Sequence, residues 1–393
     1  MDRTLRIAYL SPLAPSRSSV GDYSEELLPY LCQQAQVDVY TDDGAAATQE
    51  VGRIYPLYGY RDLNQPDRYD HLLYQLADDA ALAPICRRFV QYGGVAVLHD
   101  LDLPALEAAC PIEVAASASR GLSLWSGGLL GRGPTPRRML TLAQAFAQRA
   151  TAFVVHSQAA RHELQARVPG TFVRVVPIGI RRPPAIDAGE ARRALGIDER
   201  AFVCLSVGKL EPHKRLHVVL QALARLRERL PHILYILVGE PRPGYDLRQV
   251  AHELGVAECV RLAGHVDLPT LYRYMAAADV GLALRNPERR EVPAGLLRMM
   301  SMERPVVVSH GGACAEMPDS CLLKVITGSG EVAQLCAALW ALGSHAPMRA
   351  WYGRQAAQYV QKHHNLANAA RGYAGLLEEL TQSQTPELAV AGR

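Results

Sequence analysis

No stretch of the chain approaches the ~20 consecutive apolar residues of a membrane-spanning helix. The opening run MDRTLRIAYLSP has too short an apolar stretch to read as a secretory signal. Cysteine occurs at Cys32, Cys86, Cys110, Cys204, Cys259, Cys314, Cys321 and Cys336, never as CxxC. Most of these lie inside apolar runs, which argues against a disulfide framework or zinc site and for buried thiols in a reducing compartment. The formal net charge of +3 is too small to point to nucleic acid as a partner. No GxGxxG follows the first strand, where the run is Ser11-Pro-Leu-Ala-Pro-Ser, and this speaks against a dinucleotide-dependent oxidoreductase. No Asp/His cluster has convincing metal-ligand spacing, so neither a metal nor another cofactor is expected. Short repeats and low-complexity tracts are missing too. A cytoplasmic protein is the expectation, unless a surface patch holds it at the inner face of a membrane.

What is present is enough for a sizeable core. Apolar residues make up 49% and charged residues 21% of 393, and at roughly 100–200 residues per domain the length favours two domains. Strands are expected at residues 5–10, 36–41, 71–74, 95–99 and 152–156. The first helix is expected at Tyr23–Gln33, after a Pro/Ser/Gly loop from Ser11 to Asp22. Val173 to Pro184 reads as a last strand and a linker. A second series follows, with strands at 202–207, 233–239, 260–263, 280–284 and 306–309. Its helices are expected at 188–195 (closed by Gly196), 216–230, 247–254, 271–277 and 294–302. Alternating strands and helices predict α/β architecture, two doubly wound Rossmann-like domains in tandem. Such sheets bind ligands at the carboxyl ends of their strands, which places a ligand in a central cleft if the two domains face each other. The expected boundaries are 1–180, 186–362, a helix at 363–380 returning to the N-terminal domain, and a loose tail at 381–393.

The unusual residues fall in loops after strands. Ser206-Val-Gly-Lys-Leu-Glu-Pro-His-Lys-Arg215 follows a strand and precedes a helix. Gly208 allows a sharp turn and close backbone approach. Lys209 and Lys214 bring two cations to a helix N-terminus, where the dipole also favours anions. The loop suits a diphosphate, although it lacks the GxxxxGK[ST] spacing of a nucleotide hydrolase. A solvated charged loop is the alternative.

The run VGKLEPHKR resembles the phosphate loop of retaining glycosyltransferases of family 4, which have the GT-B fold. Lys209 stands where that family usually has arginine, and Lys214 matches its lysine. Val260-Arg-Leu-Ala-Gly-His-Val266, followed by Leu271-Tyr272 and Ala278-Asp279-Val280, is similar to the base-binding segment, where backbone groups near Gly264, His265 and Val266 would read the base edge. Arg285 to Pro305, RNPERREVPAGLLRMMSMERP, resembles the two-glutamate signature. Arg298 replaces the second glutamate, and Glu291 precedes it by seven positions. The run Glu291-Val-Pro-Ala-Gly295 is similar to that of a subgroup with Gly-Glu-Thr-Ser-Gly followed by arginine. The resemblance gives Glu291 the donor sugar and the loop around Gly295 a phosphate role. Pro293 removes one N–H there, and Arg298 can donate to ribose hydroxyls but cannot accept. A plain structural reading pairs Glu291 with Arg298.

In the N-terminal half, Gly94-Val-Ala-Val-Leu-His-Asp100 is similar to that subgroup's Val-Val-Leu-His-Asp run. It implies that His99 faces the donor sugar and the acceptor, with Asp100 orienting the ring. Asp100-Leu-Asp102 spells DxD, a metal motif in GT-A enzymes, but no GT-A pattern surrounds it. Ser18 to Leu28 matches the family's first loop and helix: Gly21 would let the donor approach, and Ser19 or Asp22 would cap the helix. The role of Tyr74 to Asp79 is open. Glu316, in Gly311 to Asp319, either touches the donor side or caps a helix. Cys110 to Arg138 reads as an acceptor lid, a patch for anionic lipid or a variable loop. The implied function is transfer of a sugar, with retention, from a nucleotide diphosphate donor to an unidentified acceptor. The alternatives are a GT-B sugar-nucleotide epimerase and a catalytically silent partner protein. The catalytic set is His99, Lys209, Lys214 and Glu291. The donor-binding set is Gly21, Gly208, Gly264, His265, Val266, Gly295 and Arg298.

Overall fold

In the computed structural model the described residues are 4–14, 16, 18–42, 55–111 and 142–384. Residues 112–138, most of the stretch read as lid, lipid patch or variable loop, lie outside them, as does the end of the chain after 384. The chain divides into two units: Met1–Val155 with Arg161–Val175 and Gly372–Arg393, and His156–Ala160 with Val176–Arg371.

The first unit contains β1 (Arg6–Leu10), α1 (Ser19–Leu31), β2 (Gln36–Thr41), β3 (Leu57–Gly59), β4 (His71–Leu76), α2 (Ala83–Tyr92), β5 (Gly94–Leu98), α3 (Pro104–Ala109), α4 (Leu142–Ala147), β6 (Ala150–Val155) and β7 (Val173–Val175). Helix α5 (Gln158–Arg167) starts among residues 156–160 of the second unit and continues into the first. The seven strands form one sheet in the order β3-β2-β1-β4-β5-β6-β7, with every pairing parallel. Strands β1 and β4 are buried almost throughout, as parallel strands covered on both faces must be. The strand order reverses between them, which makes the β1/β4 boundary the switch point of this sheet.

Helix α1 starts earlier than expected, because its buried face begins at Val20 and runs through Tyr23, Leu27, Leu28 and Leu31. Burial thus draws Gly21 and Asp22 into the first turn. Ser18, extended at φ −122° and ψ 127°, is the N-cap and makes no side-chain cap bond, so neither Ser19 nor Asp22 has the expected capping role.

The second unit holds α6 (Ala188–Ala194), β8 (Phe202–Val207), α7 (Leu216–Leu226), β9 (Ile233–Val238), α8 (Leu247–Glu253), β10 (Val260–Gly264), α9 (Leu268–Ala277), β11 (Val280–Ala283), α10 (Ala294–Ser301), β12 (Val306–Ser309), α11 (Gly312–Ala315), β13 (Leu323–Val325), α12 (Glu331–Ser344) and α13 (Ala346–His363). Helix α14 (Leu366–Gln384) begins here and ends in the first unit. The sheet order is β10-β9-β8-β11-β12-β13, again parallel throughout. Leu220 and Leu223 of α7 and Leu335 and Leu339 of α12 are fully buried in one core, each contributing about 1.5–3 kcal/mol of apolar burial. Inside that core the Tyr235 hydroxyl donates to Ser206 Oγ at 2.8 Å, and Ser206 donates to the Leu282 carbonyl at 2.8 Å. This chain of bonds ties β9 to β8 and β8 to β11.

Helix α14 passes Thr381, where a loose tail was expected. Thr381 Oγ1 lies 2.8 Å from His71 Nε2 and donates to the Leu377 carbonyl at 2.9 Å, which fixes the last turn to β4. Among the described residues no helix is long and apolar enough to cross a membrane. All eight cysteines are free thiols.

Candidate functional site

In the second sheet the strand order reverses between β8 and β11, so a ligand is expected at the loops leaving these two strands. Both loops are rich in charge. After β8 the backbone turns at Gly208, φ +89°, and exposes Lys209. Lys214 folds back over the same loop, its Nζ donating to the Val207 carbonyl at 2.8 Å. A Cβ at Gly208 would lie 2.8 Å from that Nζ, so glycine leaves the space the ammonium occupies. Burial, followed by the nearby Arg285 guanidinium and outweighing the help of Glu211, pushes Lys214 down to about 7. His213 Nδ1 lies 3.0 Å from Glu211 Oε2, and this contact holds the Glu211 carboxyl below the usual range.

Arg215 closes the loop in the left-handed region, φ 52°, a strained conformation for a non-glycine residue. Two groups hold it there. Its Nε donates to Glu331 Oε1 at 2.8 Å, with a second contact from Nη2 to Oε2, and Nη1 reaches Asn286 Oδ1 at 3.4 Å. Glu331 is 1% exposed. Asn286 belongs to the loop after β11, and its N–H donates to the His213 carbonyl at 2.8 Å. The two loops are therefore bolted to each other.

The loop after β11 carries Arg285, Arg289 and Glu291. Arg289 Nη1 donates to Glu291 Oε1 at 3.0 Å, and Arg285 Nη1 lies 3.8 Å from Glu291 Oε2. Arg298 is buried on α10, donates from Nη1 to the Tyr272 hydroxyl at 2.6 Å and sits 5.8 Å from that ring's centroid. The bracing pair Glu291–Arg298, the plain structural alternative, is not formed. Glu291 faces the arginines of its own loop, and Arg298 is turned onto α9. Pro293 is the N-cap of α10. Gly295 lies in its first turn, where a Cβ would come within 2.3 Å of Val207 Cγ2. Glycine at this position lets the start of α10 rest on the end of β8.

Gly264 ends β10 with φ +71° and open space where its Cβ would be, His265 is exposed and Val266 is half-buried. The Gly239 N–H donates to the Gly264 carbonyl at 2.8 Å, which places this turn beside the end of β9. Asp279, in the segment that resembles the base-binding region, serves the interior of the fold instead. Its Oδ2 accepts from Arg192 at 2.7 Å and from the Val203 N–H at 2.8 Å. Glu316 takes the second of its two expected roles. Its carboxylate accepts the N–H groups of Gln158, at 3.0 Å, and Ala159, and so caps the start of α5.

The first unit holds Gly21 and His99. Gly21 is buried in α1, and a Cβ there would lie 3.3 Å from the Pro12 carbonyl oxygen. His99 follows β5. Its Nε2 is 2.7 Å from Gln75 Oε1 and its ring meets Tyr23 edge-on at 5.4 Å. Asp100 accepts the Asp78 N–H at 2.9 Å. The open role of residues 74–79 is resolved by position: Gln75 holds His99, Asp78 accepts from the N–H groups of Ala105 and Leu106 at the start of α3, and Asp79 caps a short turn at Ala81. Asp102 of the DxD run pairs with Arg167 at 2.7 Å. Among the described residues no group of three or more His, Cys, Asp or Glu side chains is placed to hold a metal.

Sequence reasoning gave no role to Arg285, Gln75, Tyr272 or the Arg215–Glu331 pair. Position was the one signal for Arg285, which leaves the switch-point strand directly. Gln75 sat in a run whose similarity to other sequences said nothing about chemistry.

Two parallel Rossmann-like sheets with charged loops at the strand ends define the GT-B class of fold. HepE from Anabaena, solved with UDP-glucose, superposes with a TM-score of 0.71 over 95% of this chain and all of its own, at 17% identity. WaaG, a glycosyltransferase involved in lipopolysaccharide biosynthesis, gives 0.65 over 94% and 99% at 16% identity. Residues 201–344, from the start of β8 to the end of α12, match the family model for glycosyl transferases group 1. A D-inositol 3-phosphate glycosyltransferase from Thermomonospora curvata is 37% identical over 103 residues, 24% of each chain. A GDP-mannose-dependent alpha-(1-6)-phosphatidylinositol monomannoside mannosyltransferase from Mycobacterium tuberculosis is 28% identical over 193 residues, 46% of this chain and 50% of its own. The chain thus spans between a quarter and a half of the length of these curated relatives.

Proposed function

We propose that the protein is a glycosyltransferase that takes a sugar from a nucleoside diphosphate donor and passes it to an acceptor with retention of anomeric configuration. The observation that carries this reading is the placement of Lys209 and Lys214 at the β8/β11 switch point, beside the N-terminus of α10. The leaving group of such a donor is a diphosphate. Charge that builds on it as the anomeric C–O bond breaks is met by Lys209, Lys214 and the first N–H groups of α10. Lys214 waits on the Val207 carbonyl, from which the diphosphate draws it. Glu291 holds the donor sugar, with Gly208, Gly295 and Arg298 shaping its surroundings, and Gly264, His265 and Val266 receive the base through their backbone. Gly21 and His99, the latter held by Gln75, lie in the first unit. The cations already in the chain supply the charge that a divalent ion supplies in other transferases, so this reading calls for no metal.

A thermal-shift screen with UDP, GDP, ADP and TDP tests the reading. One of them, at roughly a hundredfold excess over its Kd, should stabilise the fold by about 2.7 kcal/mol, a rise of a few degrees in Tm. No shift with any of the four, confirmed by calorimetry, removes the reading.

A further inference from the structure

The donor-site reading gives Arg285 no role, although its place in the fold points to the phosphate loop. Its own N–H donates to Ser309 Oγ at 3.0 Å, at the end of β12. The next residue, Asn286, donates its N–H to the His213 carbonyl at 2.8 Å, and His213 is the neighbour of Lys214. Arg285 is therefore fixed where its chain runs beside the phosphate loop. Its charge is felt there: after burial, Arg285 is the largest influence pushing Lys214 down. All of these residues belong to the second unit.

The Arg285 side chain is only 21% exposed, and among the described residues its guanidinium makes no hydrogen bond. The Glu291 carboxylate, 3.8 Å from Nη1, is an ion-pair partner beyond hydrogen-bond reach. Glu291 Oε2, on that side, is buried and accepts from no one. Arg285, Glu291, Ser309 and Cys314 are among the residues lining a cavity of about 10 Å³. That is room for about one water and for no substrate group. A water there accepts from Nη1 and donates to Oε2, and so holds the guanidinium in place.

One water leaves most of the five guanidinium N–H groups without an acceptor. A guanidinium mostly withdrawn from water and so left is unfavourable. The nearness of the Lys214 ammonium is unfavourable too. A diphosphate at Lys214 relieves both, and the planar fork offers it paired hydrogen bonds that two lysines lack.

We propose that Arg285 is a third cation of the donor diphosphate site, steadied by Glu291 through one buried water. The inference rests on the donor-site reading above and adds to it a residue from the loop after β11.

The test is a calorimetric titration of the full chain with UDP, GDP, ADP and TDP, in wild type, Arg285→Gln and Arg285→Lys. The diphosphate that binds wild type should bind Arg285→Gln at least roughly tenfold more weakly. Arg285→Lys, with the charge but no fork, should keep part of the affinity. Wild-type affinity in Arg285→Gln overturns the inference. So does an equal loss in both variants, because charge at this position then has no part in binding. Proton uptake separates this role from mere support of the fold. Without Arg285, Lys214 titrates higher, so binding at pH 8 should take up less proton in Arg285→Gln than in wild type. Unchanged uptake places Arg285 away from the ammonium and overturns the inference. If neither variant folds, a crystal structure of the wild-type chain with the same diphosphate decides. The guanidinium should lie within hydrogen-bond reach of a phosphate oxygen, with a water between Nη1 and Glu291 Oε2. A guanidinium off the phosphate, or bonded directly to Glu291 with no water between, overturns the inference. Failure of every diphosphate to bind wild type removes the donor-site reading itself, a different result from binding that ignores Arg285.

Discussion

Replacing Lys214 with methionine is expected to weaken nucleoside diphosphate binding roughly a hundredfold and to lower turnover by a further factor of about 10²–10³. Methionine is one atom shorter, keeps most of the apolar stem, and removes the ammonium together with its bond to the Val207 carbonyl. The same residue predicts how binding responds to pH. Lys214 titrates near 7 in the fold, pushed down by burial and by Arg285, against an ordinary value of 10.5. A diphosphate beside Nζ favours the charged form and raises that pKa again. Above about pH 7, binding must therefore take up a proton, and affinity must fall as pH rises, by up to about tenfold per unit. Below about 7 the ammonium is already charged and affinity is flat. Stability of the unliganded chain runs the other way. Between about 7 and 10.5 the unfolded chain holds a proton that the folded one has lost, so this group's contribution improves as pH rises. Calorimetry at pH 8 in buffers of different ionisation enthalpy reads the proton uptake directly. Wild type should show it and Lys214→Met should not. Equal uptake in both proteins places the titration elsewhere.

Gly312→Ala should be the most damaging single methyl in the second unit. Gly312 adopts φ +52°, and a Cβ there would lie 1.9 Å from the Arg289 carbonyl oxygen. The left-handed backbone alone costs an alanine roughly 1–2 kcal/mol, and pushing the Arg289 backbone aside adds about 1–3 kcal/mol. The displaced segment is the one that presents Arg289 to Glu291, so donor binding should weaken together with stability. Gly170→Ala is the control, since Gly170 has φ +83° but nothing within 4 Å of the added carbon. Urea unfolding should show a loss at Gly312 about twice that at Gly170 or more. Equal losses would mean that backbone conformation, not contact with the site loop, sets the demand for glycine.

The pattern of alternating strands and helices was legible because fully buried parallel strands appear as unbroken apolar runs. Residues 202–207, 36–41 and 306–309 emerge with the boundaries their sequence implies. Gly196, φ +60°, closes α6 as expected, with its N–H on the Arg193 carbonyl at 3.2 Å and that of Ile197 on Arg192 at 2.9 Å. The three-residue edge strands β3 and β13 were not legible. Strands so short carry no period, and their pairing partners fix them. The start of α1 was misjudged because Gly21 and Asp22 look like loop residues, whereas tertiary burial of Val20 decides. In the site, Lys209 and Lys214 could be placed from charge and position alone. The partner of Glu291 could not. Spacing pointed along the helix to Arg298, but Pro293 starts α10 after Glu291, so the carboxylate lies outside the helix and meets the arginines of its own loop. Asp279 shows the reverse case, a residue in a segment with functional resemblance that serves to hold the Val203 backbone.

The most direct measurement is a crystal structure of the full chain with the nucleoside diphosphate that gives the largest thermal shift. The account predicts phosphate oxygens within hydrogen-bond reach of Lys214 Nζ and of the first N–H groups of α10, with Nζ drawn off the Val207 carbonyl. Well-occupied nucleotide seen at another strand end, with Lys214 still donating to Val207, would contradict it.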